Sequence, residues 1–371
     1  MVLTPSQTVN FKPRSVVGTT GAPLLLTAGS QYVQNILLEK GWNWISFNVY
    51  NNNFNDPSKL LGNYDWHDGD IVTDETNSRS LIYKNKKWIA NGNSKSGQPL
   101  TVGNSYRIRV KNDVTMEISG DILKQQALRT ITVKKGWNSI GYTPMQNLPI
   151  ATALSDYLSQ ATDGDVVKSH DEFAMFVDDG KGSGEWQGNL RYMRPGEGYM
   201  IFRQGEGTVT FRYPFYEPGS VFFEGSSKAP ARVAPKYSST MSLTAVAAGI
   251  DVQPGDRLVA YADGEVRGEA ILSPSHLLTS SPLFFMSISG DVATPLSFTI
   301  ERDGELLGTT AQMLGFSPNA ICGSASDATV ISFVRSDQLP RDGWYTLQGI
   351  KLNGQPQQSG IYIHNGKKVK M

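Results

Sequence analysis

The eight residues from Lys40 to Phe47, KGWNWISF, recur from Lys135 to Tyr142 as KGWNSIGY, 95 positions further along the chain. The motif DGD with two aliphatic residues after it, from Asp68 to Val72, returns at the same displacement from Asp163 to Val167. Self-similarity at a fixed spacing is the signature of a duplicated structural unit. We therefore predict two related modules of roughly 90 residues each.

Each copy is predicted to be rich in β-structure. The runs Ile36–Glu39 and Ile131–Lys134 indicate short strands, the Gly-Trp-Asn triplet after each one indicates a turn, and the alternating residues that follow indicate another strand. Segments 56–64 and 148–162 carry apolar residues at three- and four-residue spacings, which predicts the only appreciable helices. The modules are therefore expected to be sheets with one short helical insertion each.

The composition favours several small β domains. The chain has 371 residues, more than one hydrophobic core usually serves, and it contains 37 glycines and 19 prolines. Charged residues make up 18% and the formal net charge is zero, which supplies neither the basic field expected for nucleic-acid binding nor a polybasic membrane anchor. The single cysteine, Cys322, forms no internal disulfide, and its apolar neighbours predict a buried structural residue.

The second half of the chain predicts a different module. From Met241, alternating strands are separated by turns such as Asp263-Gly264, which is typical of an antiparallel β-sandwich. The fold class expected for the chain is mainly β, with two duplicated β-rich modules, an antiparallel β-sandwich and a short C-terminal β extension. The predicted boundaries are 1–30 for an N-terminal segment, 31–125 and 126–214 for the two repeats, 215–236 for a linker, 237–335 for the sandwich and 336–371 for the tail.

The last residues resemble the C-terminal ending of exported Bacteroidetes proteins, which is similar to a type IX secretion sorting domain and is shortened here. The residues that carry this resemblance are Tyr345, Leu347, Gly349, Leu352, Gly360–Ile363 and Asn365–Val369. The segment from Met241 to about Val334 resembles the β-sandwich modules of the same surface proteins through its Leu243–Val246 strand. The resemblance implies export to the cell exterior or to the outer-membrane surface, and none of the matching segments is a catalytic motif.

Catalytic motifs are not evident. The four histidines, His67, His170, His276 and His364, are far apart in sequence and show no zinc-ligand spacing. Short Gly-Ser stretches such as 182–185 lack the strand-to-helix setting of a nucleophile elbow, and 180–184 lacks the spacing of a phosphate-binding loop. Paired carboxylates for glycoside hydrolysis cannot be picked out from 34 acidic residues, because their separation is tertiary information.

The repeated acidic turns are candidate metal ligands. Asp68, Asp70, Asp163 and Asp165 bring carboxylate oxygens close together in sequence, as a calcium site requires. Asp-Gly is equally a preferred turn sequence. We expect a structural turn and keep calcium as the alternative; no other cofactor is predicted.

Tryptophans supply the candidate ligand contacts. Trp42 and Trp137 recur beside apolar strands, so we predict that both are core residues. Trp88 and Trp186 follow polar residues, so we predict that these two rings are exposed and contact a sugar or a peptide.

These observations favour a non-enzymatic, secreted or cell-surface protein whose β modules serve adhesion, ligand binding or spacing. The partner expected is an extracellular protein or glycan, and neither nucleic acid nor a transmembrane segment is predicted. Two alternatives stay open: accessory modules of a larger secreted peptidase or glycoside hydrolase, and an array of carbohydrate-binding modules.

Overall fold

The protein is mainly β, as the composition and turn pattern predicted. A computed structural model describes residues 9–10, 25–27, 31–62, 64–92, 99–124, 130–178, 180, 184–217, 236–272, 282–310, 314–339, 342–347 and 349–371. The chain divides into two compact units. One is built around the two repeats, and the other around Ala231–Met371 together with the short segments Asp171–Met175 and Gln187–Asn189.

The first repeat contains two sheets. Strands β1 to β5 are Val9–Asn10, Leu25–Thr27, Gln31–Leu38, Gly41–Ser46 and Val49–Tyr50. A 3-10 helix, Asn52–Asn55, and α1, Pro57–Leu60, come next. Strands β6 to β10 are Ile71–Asp74, Arg79–Lys84, Lys87–Ala90, Ser105–Val110 and Val114–Ile122. One sheet has the order β4-β9-β6-β7-β8 and the other β1-β2-β3-β10-β5.

The second repeat reproduces this arrangement with longer strands. Its strands β11 to β17 are Thr130–Gly141, Leu148–Pro149, Val166–Lys168, Phe173–Asp178, Gly184–Gly188, Tyr192–Met193 and Gly198–Arg212. Its helices are α2, Ile150–Ala153, and a 3-10 helix, Leu158–Gln160. The sheet order β11-β17-β13-β14-β15 matches β4-β9-β6-β7-β8 position by position. Strand β11 merges the counterparts of β3 and β4, and the former break remains as a bulge between Lys134 and Gly136.

The Gly-Trp-Asn triplet was expected to form a turn, and this part of the prediction was wrong. In both copies the triplet lies within a strand, directly after the irregular step. Gly41 and Gly136 adopt φ angles of 108° and 86°, a region that only glycine enters without strain. The glycine therefore permits the strand break in the first copy and the bulge in the second, and a strand runs through the tryptophan in both.

The second unit contains the predicted sandwich strands in a curled nine-stranded sheet. Strands β18 to β26 are Thr240–Ala248, Arg257–Ala262, Glu265–Ile271, Phe284–Ser289, Thr294–Arg302, Glu305–Thr310, Leu314–Phe316, Ile321–Cys322 and Thr329–Arg335. Most pairings are antiparallel, but β18 pairs in parallel with β25 and β26. Its core includes Leu243, Met286, Phe298 and Phe333. Cys322 is half-buried against this core, and burial raises the pKa of its thiol.

The C-terminal tail forms a four-stranded sheet. Its strands β27 to β30 are Trp344–Thr346, Lys351–Leu352, Ile361–His364 and Lys367–Lys370, in the order β28-β27-β29-β30. Tyr345, Leu347 and Ile363 share a hydrophobic core with Val259 and Tyr261 of the sandwich. The tail is thus packed onto the sandwich through an apolar layer of its own.

Parts of the predicted domain division fall outside the described residues. These are most of segment 1–30 and most of linker 215–236, and His276 also lies there. Within the described part of the chain, no helix has the length and apolar character needed to cross a bilayer.

Candidate functional site

The repeated asparagine clamps the irregular step before the tryptophan in each copy, a strand break in the first and a bulge in the second. Asn43 Oδ1 accepts a hydrogen bond from the backbone N–H of Glu39 at 3.0 Å, and its Nδ2 donates to the carbonyl oxygens of Glu39 and Gly41 at 2.8 and 3.1 Å. Asn138 makes the same three bonds to Lys134 and Gly136, at 2.9, 2.7 and 2.8 Å. The asparagine satisfies backbone groups that the irregular step removes from the sheet ladder. Its recurrence therefore has a structural cause.

The second aspartate of each Asp-Gly-Asp turn is fully buried. Asp70 accepts the backbone N–H groups of His67 and Lys111 at 2.8 and 2.9 Å, one on each carboxylate oxygen. In the second repeat, Asp165 accepts those of Thr162 and Gln204 at 2.9 and 2.7 Å. Each carboxylate thus ties its turn to the end of a neighbouring strand.

The first aspartate of each turn is at the surface. Asp68 accepts the backbone N–H of Asn85 at 2.9 Å, and Asp163 accepts that of Asp178 at 3.0 Å. Calcium requires six or more oxygen ligands. Among the described residues, no three acidic, histidine or cysteine side chains come close enough together to hold a metal ion. Within the described ranges Asp68, Asp70, Asp163 and Asp165 therefore belong to no such cluster, and their hydrogen bonds are those of structural turns.

A buried tyrosine closes each repeat. The hydroxyl oxygen of Tyr106 accepts the backbone N–H of Thr101 at 2.7 Å, and that of Tyr199 accepts the N–H of Arg194 at the same distance. Tyr199 also donates to the Glu197 carboxylate at 2.7 Å. Burial raises the pKa of both phenols well above the usual value of 10.0, so both stay neutral donors and acceptors.

Neither Trp88 nor Trp186, the two tryptophans predicted as ligand contacts, is an exposed ring. Trp88 is in the core of the first repeat at 7% exposure, 5.1 Å from the ring of Trp66 and 5.3 Å from that of Tyr83. Trp186 is half-buried between Phe176 and Tyr157. The polar neighbours that suggested exposure lie on the other face of the strand, because successive side chains alternate. Trp88 accordingly offers little surface to a ligand.

Trp42 and Trp137 were predicted as core residues, and both are instead half-buried on the outer face of their sheets. The guanidinium carbon of Arg109 lies 5.6 Å from the Trp42 ring centroid, and Phe202 holds the matching place 5.2 Å from Trp137. The two copies thus present an aromatic ring at one position and differ in its neighbour.

Two buried cations, Lys168 and Arg107, lie beside tryptophans of both repeats. Lys168 Nζ lies 4.5 Å from the Trp137 ring centroid and 5.7 Å from that of Trp44, and Arg107 covers Trp44 at 4.5 Å. Arg107 pairs with Glu75 at 2.8 Å. Burial lowers the pKa of the Lys168 ammonium well below its usual 10.5, the positive charge of Arg107 lowers it further, and Glu75 opposes both.

The junction between the repeats is reciprocal. The backbone N–H of Ser46 donates to the carbonyl of Gly196 at 3.0 Å, and that of Gly141 donates to the carbonyl of Gly103 at 2.8 Å. Ser46 corresponds to Gly141 and Gly103 to Gly196 in the sequence repeat, so each copy offers the same donor and the same acceptor. Such self-complementary contacts are typical of two-fold interfaces between identical subunits.

A charged cluster fixes the tail to the sandwich. Glu301, 3% exposed, accepts Arg257 at 2.6 Å and is also paired with Lys368, whose Nζ donates to Tyr261 Oη at 2.8 Å. Burial raises the pKa of Glu301, but the hydrogen bonds from Lys368 and Arg257 outweigh it and hold the pKa below 4.5. The cluster is therefore fully ionised near neutral pH and stabilises the packed tail.

The histidines remain separate in the described part of the chain. His67 lies in the first acidic turn near Asn112, His170 meets Trp44 edge to face at 5.9 Å, and His364 stacks on Trp344 at 4.3 Å. Sequence reasoning missed the outer-face residues Arg109 and Ile71, although period-two alternation around Trp42 and Asp70 was the signal that could have found them.

Comparison of the chain with protein-family models, curated proteins and solved structures gives no match.

Proposed function

We propose that this chain is a non-catalytic, modular β scaffold of a secreted or cell-surface protein. Its paired repeats form a rigid support for a ligand-binding or adhesive surface, and its packed tail serves export or attachment. The observation that carries this proposal is that the residues shared by the two repeats are used for holding the chain in place.

The shared residues support a scaffold because their polar atoms are occupied by the backbone. Asn43 clamps a strand break, Asn138 clamps a bulge, Asp70 and Asp165 hold turns, and Tyr106 fastens a loop. A catalytic group must instead aim its reactive atom at a substrate. Duplication of these residues therefore preserves a frame, as repeat architectures do.

The exposed lysines on the last strand of the tail support its proposed role in export. The tail is a small sheet whose last strand, β30, carries exposed Lys367 and Lys370, while Lys368 between them is anchored on Glu301. Alternation along the strand places Lys367 on the face opposite Lys368, and Lys370, at the end of the strand, is exposed on the same face as Lys368. The exposed pair is available to a sorting or attachment partner.

Expression in a Bacteroidetes host that has type IX secretion tests this proposal. The full chain is expected at the cell surface, where added protease degrades it in intact cells. The double variant Lys367→Ala with Lys370→Ala is expected to stay within the cell envelope, whereas Lys59→Ala with Lys135→Ala, a matched exposed pair in the repeats, is sorted normally. Retention of the unaltered chain inside the cells would contradict the proposal, and normal sorting of the tail variant would contradict the role of the tail.

A further inference from the structure

The outer face of the first repeat carries a continuous row of side chains across five strands. Residues opposite one another along β4, β9, β6, β7 and β8 form this outer row: Trp42, Arg109, Ile71, Ile82 and Ile89. Strand neighbours are about 4.8 Å apart, so the row is about 19 Å long. Ile89 is 42% exposed, Arg109 is exposed, and the other three members are half-buried. This is an accessible, mostly apolar strip.

The two borders of the outer row differ in chemistry. Lys84 and Lys87 stand two residues from Ile82 and Ile89 on the same face, so they form a cationic border. Thr73 and Ser80, paired across β6 and β7, form a hydroxyl border on the other side. Arg107 stands opposite Thr73 on that side, but it is buried and paired with Glu75. A chain lying along the row therefore meets exposed cations on one side and mainly hydroxyl groups on the other.

The cationic border has a structural cost. Lys84 lies directly opposite Lys87, and like charges at such a pair destabilise a hairpin. Asn85 and Lys86 form the turn with φ angles of 51° and 62°, and a turn of this kind favours glycine at the position that Lys86 occupies. Three lysines at one unfavourable hairpin tip indicate that the charge serves a function.

The second repeat lacks these features at the corresponding positions. Arg109 is replaced by Phe202, Lys84 by buried Val177, and Ile71 by Val166, which is fully buried. The tryptophan alone is common to both. The cationic, accessible strip is thus a property of the first repeat and not of the shared frame.

We propose that the outer row of the first repeat binds an acidic polysaccharide, one that carries uronate or sulfate groups. This inference rests on the proposed function and names the ligand class of its surface. The Trp42 ring and the isoleucines accept the C–H faces of sugar rings, as aromatic platforms do. Arg109, Lys84 and Lys87 pair with the acid groups, and the hydroxyl border meets the sugar hydroxyls.

Affinity electrophoresis and calorimetry with polygalacturonate test the inference, with dextran as the neutral control polymer. The full chain is expected to be retarded by polygalacturonate and not by dextran, and binding weakens as salt is raised because ion pairs contribute. Trp42→Ala, and Lys84→Gln combined with Lys87→Gln, are each expected to weaken binding at least tenfold. Trp137→Ala, the matched change in the second repeat, leaves binding unchanged.

Thermal unfolding of each variant separates lost binding from lost folding, and the exposed lysine pair is the variant least able to disturb the fold. Equal binding of dextran, or equal loss in Trp42→Ala and Trp137→Ala, would overturn the inference. Binding to poly-L-glutamate or to phosphatidylserine vesicles without binding to polygalacturonate or heparin would also overturn it. Those results leave the surface-display experiment unaffected, so failure of the ligand class is distinguishable from failure of the scaffold proposal.

Discussion

The two repeats share one frame and differ in what they show to their surroundings. Both use the same glycine, asparagine, aspartate and tyrosine in equivalent hydrogen bonds. The first copy breaks its long strands and has an accessible outer row, whereas the second fuses them and buries Val166 and Val177 at the matching sites. The comparison teaches that recurring residues in this chain mark structure, and that function is to be sought where the copies diverge.

The largest expected difference concerns the paired hairpin tryptophans. Trp88→Ala is expected to lower the free energy of unfolding by about 3–5 kcal/mol, because a large buried ring leaves a cavity. Trp186→Ala is expected to cost about half as much, since Trp186 is half-buried. Denaturant unfolding followed by circular dichroism measures both. Equal losses would show that the two copies are packed alike at this hairpin.

The junction glycines are the next test. A Cβ on Gly141 would stand 2.5 Å from the carbonyl oxygen of Asn104, and one on Gly198 would stand 2.7 Å from that of Ile45. Because backbone carbonyls obstruct both positions, and the side-chain oxygen of Ser105 would lie still closer to a Cβ on Gly198, each Gly→Ala change is expected to cost about 3 kcal/mol. Gly315→Ala, which meets nothing within 4 Å, is the control and should be nearly neutral. Tolerance of both junction variants in thermal unfolding would contradict the tight reciprocal junction.

The asparagine clamps sharpen the comparison further. Asn43 is 1% exposed and Asn138 is half-buried, although their hydrogen bonds are alike. Asn43→Ala is expected to cost about 3 kcal/mol and Asn138→Ala about 1–2 kcal/mol, because lost hydrogen bonds cost more where water cannot replace them. Chemical denaturation measures the difference, and a larger loss for Asn138→Ala would reverse this reasoning.

The smallest expected effect is a pH dependence confined to the second repeat. Lys168 stands where the first repeat has Thr73, and its pKa in the folded state is lowered from 10.5. Between the folded and unfolded pKa values the unfolded chain binds the extra proton, so this lysine makes stability rise with pH in that window. Lys168→Met removes this pH dependence. The lysine's destabilising contribution is about 1.4 kcal/mol for each unit by which its pKa is lowered.

The measurement is the free energy of unfolding of Lys168→Met relative to the unaltered chain at about pH 7 and about pH 10. The variant's advantage is expected to shrink as the pH rises. The matched control is Thr73→Met, which carries no titratable group and should show a constant offset. If the stability advantage of Lys168→Met grew as the pH rises, the result would contradict a lowered pKa at Lys168.

Local patterns in the sequence predicted much of the fold. The strands at β18, β19, β20 and β22 and the Asp263-Gly264 turn were evident because alternation and turn residues are local signals. Strand β10 was missed, although its residues alternate strictly between buried and exposed. The shared core of tail and sandwich had no local signal, since Tyr261 and Ile363 meet only in the folded chain.

The candidate site was harder to predict for a physical reason. Whether a ring is exposed depends on the parity of its position in a strand, and a one-residue difference moves it to the other face. Lys87 and Trp88 are adjacent, yet one faces solvent and the other the core. The outer row joins residues from five strands through tertiary pairing, so its members are separated by up to 67 positions in the sequence.

Native-state hydrogen exchange at the junction tests the central claim most directly, that the two repeats form one body through equivalent contacts. The amides of Ser46 and Gly141 are expected to exchange with the same free energy as the core amides of Tyr83 and Phe176, which donate within the two repeats. Exchange of either junction amide while the core amides stay protected would show that the junction opens by itself, and it would contradict the account.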